Sequence, residues 1–334
     1  MQKLLIDGEF IESEEGKVSE IRNPANFTQT VDQVFTGTKD DVKKAIDSAS
    51  LAFRKWSETP ARTRAQVLAK AADLLTSSET EIAELLTREQ GKPLPEALNE
   101  LRLSAVMLRY YAGLAPLIPE RRVGLADPNE FGLVLKKPLG ICAAITPWNS
   151  PVILMVVKIA PALAAGNTMV IKPASSTPLA DLSVCGLINK AGLPKGTLNV
   201  VTGPGSTVGE ELISNPKVAK VAFTGETETG KRVMSIASQG VKRVSLELGG
   251  SDPMIVCRDA DFAKAIDAAL INRFRNCGQV CMSVKRLYVE AEIFDSFLQK
   301  LIERIQRIRI GDGLIPGTKM GPLHSKVQRD KIRS

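Results

Sequence analysis

Histidine is almost missing from this chain: His324 is the only one in 334 residues. An enzyme built on it would need a general base other than imidazole, and one histidine with one Cys-x3-Cys pair cannot complete a tetrahedral zinc site, so no metal is expected. Five cysteines, Cys142, Cys185, Cys257, Cys277 and Cys281, cannot all pair. Their scatter through apolar segments suits core thiols in a reducing compartment better than a disulfide framework. No run of about 18 apolar residues is present to span a bilayer. The opening MQKLLIDGEFIESEEGK lacks the apolar core and cleavage site of a secretory leader, so a cytoplasmic location is expected. Aromatic residues make up 4%, too few to interleave with basic ones in a nucleic-acid surface. The net charge of +7 is mostly an end effect, since residues 285–334 hold 11 Lys/Arg against 6 Asp/Glu. The run Glu303–Arg309 there reads as part of one amphipathic helix with a solvated face.

What is present is the balance of a folded enzyme. Hydrophobic residues at 44% and charged residues at 24% suit a globular body, and the length suits two or three domains. The first forty residues carry short strand-like pieces, LLIDGEFI and QTVDQVF. From Asp40 the pattern turns helical: one helix through Val42 to Trp56, a second opened by Pro60 at its first position, then helices near 79–89 and 96–112. Residues 116–139, punctuated by Pro116, Pro119, Pro128 and Pro138, read as a protruding hairpin. From Gly140, buried strands alternate with helices: GICAAIT, TMVIK, LNVVT, KVAFTG and RVSLELGG. Five such strands with crossover helices predict an α/β fold with a doubly wound parallel sheet. Ligands of such sheets bind at the carboxyl ends of the strands, where the turns TPWNS, KPASS, TGPGS, FTGETETG and ELGG lie.

The run FRNCGQVCMSVKR offers two cysteines four apart. A buried cysteine usually acts as a small hydrophobe, and a nucleophilic role needs a base nearby. Glu247, between Leu246 and Leu248 at a strand end, is a carboxylate whose burial would raise its pKa toward neutrality; a structural salt bridge to lysine is the alternative. Asn149 sits in the turn after the first parallel strand, where its amide can donate to an oxyanion or simply form an Asx turn. Lys172 can reach a ribose or phosphate, or snorkel to solvent. Gly225 and Gly230 mark a strand-to-helix turn suited to a pyrophosphate.

Taken together, these motifs resemble the aldehyde dehydrogenase superfamily in order and spacing. Thr146-Pro147-Trp148-Asn149 resembles its oxyanion turn, Lys172-Pro173-Ala174-Ser175 its ribose turn, and Phe223-Thr224-Gly225 with Gly230 its cofactor turn. Glu247-Leu248-Gly249-Gly250 and Gly278-Gln279-Val280-Cys281 resemble its general-base and nucleophile signatures, and REQGKPLPEA extends the similarity toward the N-terminus. The resemblance implies a nucleophile Cys281, a base Glu247 that activates the hydrolytic water, and an oxyanion donor Asn149. It also implies NADP or NAD contacts from Ile145, Thr146, Pro147, Trp148, Lys172, Ser175, Gly205, Gly209, Phe223, Thr224, Gly225, Glu226, Gly230, Leu248 and Gly249. Residues 1–117 and 139–249 would form the cofactor domain, 118–138 an oligomerisation hairpin, and 250–334 an incomplete α/β catalytic domain. A small-molecule aldehyde and a homo-oligomer are the partners implied, with no nucleic acid and no membrane, and Cys277 would be a neighbour able to act as a redox partner.

Four departures from the family carry expectations. Ser175 stands where many NAD-preferring members have Glu, which makes NADP acceptable. Glu226 replaces a commoner Ser beside the pyrophosphate, where its charge would repel unless it turns away. KPASSTP, FRN and IGDGL resemble the succinate-semialdehyde branch, yet Val157 stands where that branch places an arginine for the substrate carboxylate, so neutral or aryl aldehydes are expected. Finally, family members continue beyond GPLHSKVQRDKI with more catalytic domain, so this chain reads as C-terminally short. Two alternatives follow: a relative that only binds nucleotide, and a thiol hydrolase that uses Cys281 and Glu247 without nicotinamide.

Overall fold

The computed structural model describes residues 1–118, 121–124 and 129–333. The chain opens with β1 (Leu4–Ile6) and β2 (Glu9–Ile11), turned tightly at Asp7 and Gly8, and continues with a second hairpin, β3 (Val18–Asn23) and β4 (Asn26–Phe35). Helix α1 (Lys39–Glu58) begins in a capping box: Thr38 Oγ1 accepts from the Asp41 N–H at 3.1 Å, and the Asp41 carboxylate accepts from the Thr38 N–H at 2.8 Å. Its buried residues Val42, Ala45, Ile46, Ala49, Ala52 and Trp56 recur at helical spacing. Pro60, expected at the first helical position, is instead the cap residue before α2 (Ala61–Ser77). Helix α3 (Glu79–Gln90) stops at Gly91, whose φ of +101° is the left-handed conformation that ends helices, and α4 (Leu94–Leu114) follows. The expected hairpin is formed by β5 (Arg121–Gly124) and β6 (Phe131–Val134), paired antiparallel; Pro119 and Pro128 lie outside the described residues.

The alternation after Gly140 builds the sheet. Its elements are β7 (Ile141–Ile145), α5 (Pro151–Ala164), β8 (Thr168–Lys172), α6 (Leu179–Lys190), β9 (Leu198–Val200), α7 (Glu210–Ser214), β10 (Val218–Thr224), α8 (Thr227–Ser238) and β11 (Arg243–Glu247). The strand order is β11-β10-β7-β8-β9-β1-β2, with the first five parallel. β1 adds antiparallel to β9 through Leu5 and Val200, so the N-terminal piece becomes part of the main sheet. Because strand side chains alternate faces, β7 sends Cys142 and Ala144 into one core with α2 to α6, and Ile141, Ala143 and Ile145 into a second core with α1, α7 and α8. Helices on both faces make the doubly wound fold. Residues Gly205–Gly209 form a wide helical turn that runs into α7 at Glu210.

The remaining chain forms a smaller α/β unit. β12 (Asp252–Val256) and β13 (Val284–Val289) pair in parallel, joined by α9 (Phe262–Phe274), and α10 (Phe294–Ile305) packs against α9 through Phe297. α10 ends at Ile305, so the run 303–309 is only partly helical. A strap over 311–324 then lies on the end of α3, and α11 (Lys326–Arg333) closes the described chain. A Cβ at Gly321 would stand 2.0 Å from the Gly91 carbonyl oxygen, so only glycine permits the two backbones to meet there. All five cysteines are free; Cys142 and Cys185 are core thiols as expected, whereas Cys257 is exposed on the surface and Cys277 and Cys281 are half-buried. Among the described residues, no helix is long and apolar enough to cross a membrane.

Candidate active site

The carboxyl ends of β7, β10 and β11 face the loop before β13 across a cleft of about 480 Å³. Asn149, Glu247 and Cys281 all line it, as do Pro147, Trp148 and Cys277. Three residues more than 30 positions apart in the chain, each a candidate for chemistry, therefore share one cavity.

Asn149 is held by a buried network. Its carbonyl accepts from Lys92 Nζ at 2.9 Å and from Asn276 Nδ2 at 2.9 Å. Lys92 also forms an ion pair with Glu100, both side chains being almost fully buried. The other Glu100 oxygen accepts from the Val152 and Ile153 N–H groups at 2.9 and 3.3 Å, so one carboxylate neutralises the lysine and caps the start of α5. The Asn149 amide donates to the Gln279 carbonyl at 2.8 Å. A primary amide carries two N–H groups, so this bond orients the side chain and leaves a second donor.

The loop that leads to Cys281 is built from unusual backbone. Asn276, Cys277 and Gly278 take φ of 49°, 58° and 71°, three left-handed residues in succession. Such conformations cost about 1 kcal/mol or more at non-glycine positions and persist only when neighbours over-determine them. Asn276 supplies that constraint: its N–H donates to Glu96 at 2.9 Å and its side-chain oxygen accepts from Gln90 Nε2 at 3.0 Å. Gln279 closes the loop by donating from Nε2 to the Asn276 carbonyl at 2.8 Å. Cys277 is taken up by the same packing; its thiol donates to the Gly321 carbonyl, and burial with the nearby Glu96 charge pushes its pKa up to about 12. It is a poor thiolate. Cys281, by contrast, reaches the cleft half-exposed, and a Cβ at Gly250 would lie 3.3 Å from its carbonyl oxygen, which ties the ELGG turn to the Cys281 loop.

Glu247 departs from the sequence expectation. A buried carboxylate was anticipated, but β11 is the sheet edge and Arg243, Ser245 and Glu247 all point to its exposed side. The charge drawn inward is instead the half-buried Lys158, two turns into the apolar α5. Burial pushes it down to about 8, against the opposing pull of Glu247 and Asp181. Lys158 Nζ donates to Thr224 Oγ1 at 2.7 Å and shares a second cavity, of about 410 Å³, with Glu247 and Val157. A lone charge inside PVILMVVKIAPALA was the available signal for it.

Most of the candidate cofactor residues fall into three groups, with Thr146 and Gly230 apart from them. Trp148, Thr224, Gly225, Glu226, Leu248 and Gly249 border the main cleft with Pro147. A Cβ at Gly230 would meet Leu248 at 2.5 Å, which is why glycine is needed for α8 to approach β11. Ile145, Gly205, Gly209 and Phe223 line a separate slot of about 210 Å³ with Arg232 and Glu210. Lys172 and Ser175 meet at the Gly203 carbonyl, to which Nζ and Oγ donate at 3.0 and 2.9 Å. Lys172 does not snorkel: it is 5% exposed, and burial pushes its pKa down to about 8. Thr146 turns away from the cleft, its N–H donating to the Lys172 carbonyl at 3.1 Å and its hydroxyl to Asp181 at 3.4 Å. Glu226, flagged as repulsive toward phosphate, pairs with Lys331 of α11 at 3.2 Å, so its charge is compensated.

Sequence reasoning discounted His324. The structure stacks its ring on Trp148, with centroids 4.7 Å apart and planes 11° from parallel, and the His324 backbone N–H donates to Gln279 Oε1 at 3.0 Å. Its value was hidden because the partners, Gln90, Trp148, Ser176 and Gln279, are scattered along the chain.

Comparison with known proteins agrees with this architecture. The aldehyde dehydrogenase family model matches residues 10–334. The chain is 42% identical over 322 residues to the NADP(+) succinate-semialdehyde dehydrogenase of Escherichia coli, covering 96% of this chain and 67% of that protein. It is 43% identical over 333 residues to the betaine aldehyde dehydrogenase of Bacillus subtilis, covering 99% and 68%. The crystal structure of an E. coli NADP-dependent enzyme superposes with a TM-score of 0.97 at 41% identity, over 99% of this chain and 69% of that one. Betaine aldehyde dehydrogenase from Staphylococcus aureus, in complex with NAD+, gives 0.96 at 38% identity, over 99% and 66%. The chain thus spans about two-thirds of the length of these relatives.

Proposed function

Because this chain belongs to the aldehyde dehydrogenase family, we propose that it oxidises an aldehyde to a carboxylic acid with NADP+ or NAD+, using Cys281, Glu247 and Asn149. The observation that supports this most is the meeting of those three side chains in one cleft beside α8. The Cys281 thiolate would attack the carbonyl carbon, forming a C–S bond and placing the negative charge on oxygen. The second Asn149 amide N–H and the Cys281 backbone N–H would hold that oxyanion. The bound nicotinamide supplies the hydride acceptor. Glu247 would then take a proton from water as the water attacks the Cys281 thioester, expelling the thiolate and releasing the acid. Lys158, beside Glu247, would keep a positive charge near that carboxylate at neutral pH.

The residues present fit such a cofactor. The slot at Ile145 and Phe223 is apolar and faced by glycine backbone, the Lys172 and Ser175 donors lie behind it, and α8 opens onto the cleft beside Gly225. Ser175 presents a hydroxyl and no carboxylate, which favours acceptance of a 2′-phosphate, so NADP+ should serve at least as well as NAD+. Val157 supplies no arginine for a substrate carboxylate, which supports uncharged or aryl aldehydes, although the cavity it lines also holds Lys158 and Lys220. We further assign 1–117 and 139–249 to cofactor binding and 250–334 to catalysis. The 118–138 hairpin, with Phe131, Leu133 and Val134 exposed, would serve self-association. The test is to follow reduced nicotinamide with a panel of aldehydes and both cofactors. Turnover lost in Cys281→Ser with cofactor binding retained supports the reading; turnover retained there, or cofactor bound with no turnover by any aldehyde, refutes it.

A further inference from the structure

The slot beside the main cleft has a charged mouth, and we propose that Arg232, oriented by Glu210, packs over the purine ring of the dinucleotide and sets affinity for its adenosine end. This rests on the function proposed above. The slot lies between the Gly205–Gly209 turn and α8. Ile145, Phe223, Val233 and Ile236 give it an apolar lining. The turn presents backbone: space is open at Gly205, and a Cβ at Gly209 would come within 3.7 Å of Ile145 and of the Lys172 stem. A narrow space with apolar side chains on its walls and peptide planes on one side suits a flat ring better than a phosphate, whose charge the Glu210 carboxylate at the mouth would oppose.

Arg232 is the cation of this rim. It stands three residues after Thr229, which also lines the slot, so both occupy the same face of α8. Its guanidinium pairs with Glu210 at the first turn of α7, and the two side chains are 66% and 34% exposed. An ion pair so exposed adds little to folding stability. Its placement at the slot does more: the planar guanidinium is weakly hydrated, stacks on π faces, and is restrained by the carboxylate from swinging into solvent. Glu210 is a positioning residue, and Arg232 is the group that touches the base.

The proposal is tested by calorimetric titration of the full chain and of Arg232→Ala and Glu210→Gln with NAD+, NADP+, 5′-AMP and nicotinamide mononucleotide, which lacks the purine. Arg232→Ala is expected to weaken 5′-AMP and both dinucleotides by roughly two- to fivefold and leave the mononucleotide unchanged. Glu210→Gln should have a smaller effect of the same kind, because the guanidinium remains. Unchanged 5′-AMP affinity in Arg232→Ala overturns the proposal. Equal losses in both variants would reduce the pair to a staple between helices and also overturn it. Absence of any dinucleotide binding by the unsubstituted chain would instead defeat the proposed function.

Discussion

His324 lies flat on Trp148, one residue before Asn149, with 4.7 Å between ring centroids. Nδ1 is 3.1 Å from the Gln90 carbonyl, which can only accept, so Nδ1 carries the proton and Nε2 accepts from Ser176 Oγ at 2.8 Å. The neutral ring is thus fully satisfied, and the 311–324 strap is fastened to the turn that carries Asn149.

A pH dependence follows. Burial pushes His324 down to about 4, with the Gln90 bond opposing and the Lys92 charge assisting. Between about 4 and 6.5 the unfolded chain therefore binds more protons than the folded one, so this group's contribution to stability grows as pH rises and is lost on acidification. The shift corresponds to about 3 kcal/mol. Glu89, raised to about 8 by burial, acts with the opposite sign, because the folded state holds its proton above pH 4.5. Urea unfolding of the unsubstituted protein and His324→Gln from pH 4 to 7 separates the two. The difference between them should widen toward pH 7, and a pH-independent difference would contradict the assignment.

Asn149→Ala should lower kcat by roughly 10²- to 10³-fold, as expected for losing one oxyanion donor, with little change in cofactor affinity. Steady-state kinetics with circular dichroism as a folding control would check it. A loss explained by unfolding alone would remove Asn149 from the chemistry.

With Lys158 titrating near 8, the proposed oxidation should show an alkaline inflection at about that pH, where the positive charge beside Glu247 is lost. In Lys158→Met the inflection should vanish and the rate at neutral pH should fall. A pH–rate profile of identical shape in both proteins would show that the lysine is a bystander.

Ser175→Glu should place a carboxylate beside the Gly203 carbonyl and Lys172 Nζ. Like-charge repulsion of a 2′-phosphate should cut kcat/KM for NADP+ by at least roughly tenfold while sparing NAD+. Equal effects on both cofactors would mean that the 2′ position lies elsewhere.

Removing one member of the buried Lys92–Glu100 pair leaves an uncompensated charge, and Glu100→Ala also uncaps α5. A loss of about 3–5 kcal/mol in denaturant unfolding is expected. A loss below 1 kcal/mol would show that solvent reaches the pair.

The parallel sheet, its helices and the hairpin near 121–134 were legible because each depends on local signals: apolar runs of strand length, helical spacing and turn residues. The motifs at the strand ends were legible for the same reason, since the fold delivers carboxyl ends to one side. The burial of Glu247 was misjudged because flanking leucines report alternation, while exposure depends on β11 being the edge strand. Its neighbour Lys158 went unread because its meaning needs β10 and β11 in place. Likewise Glu226 looked repulsive until α11, over 100 residues later, supplied Lys331.

By itself, then, the order of residues determined which elements form and which turns carry reactive groups, since hydrophobic periodicity and backbone preference act over a few neighbours. Only the tertiary structure decided that His324 bears on Trp148, that Asn276 holds a left-handed loop under Asn149, and that Arg232 meets Glu210 at a slot. Those relations join segments far apart in the chain, and their energies exist only once packing has excluded water and brought the partners within bonding distance.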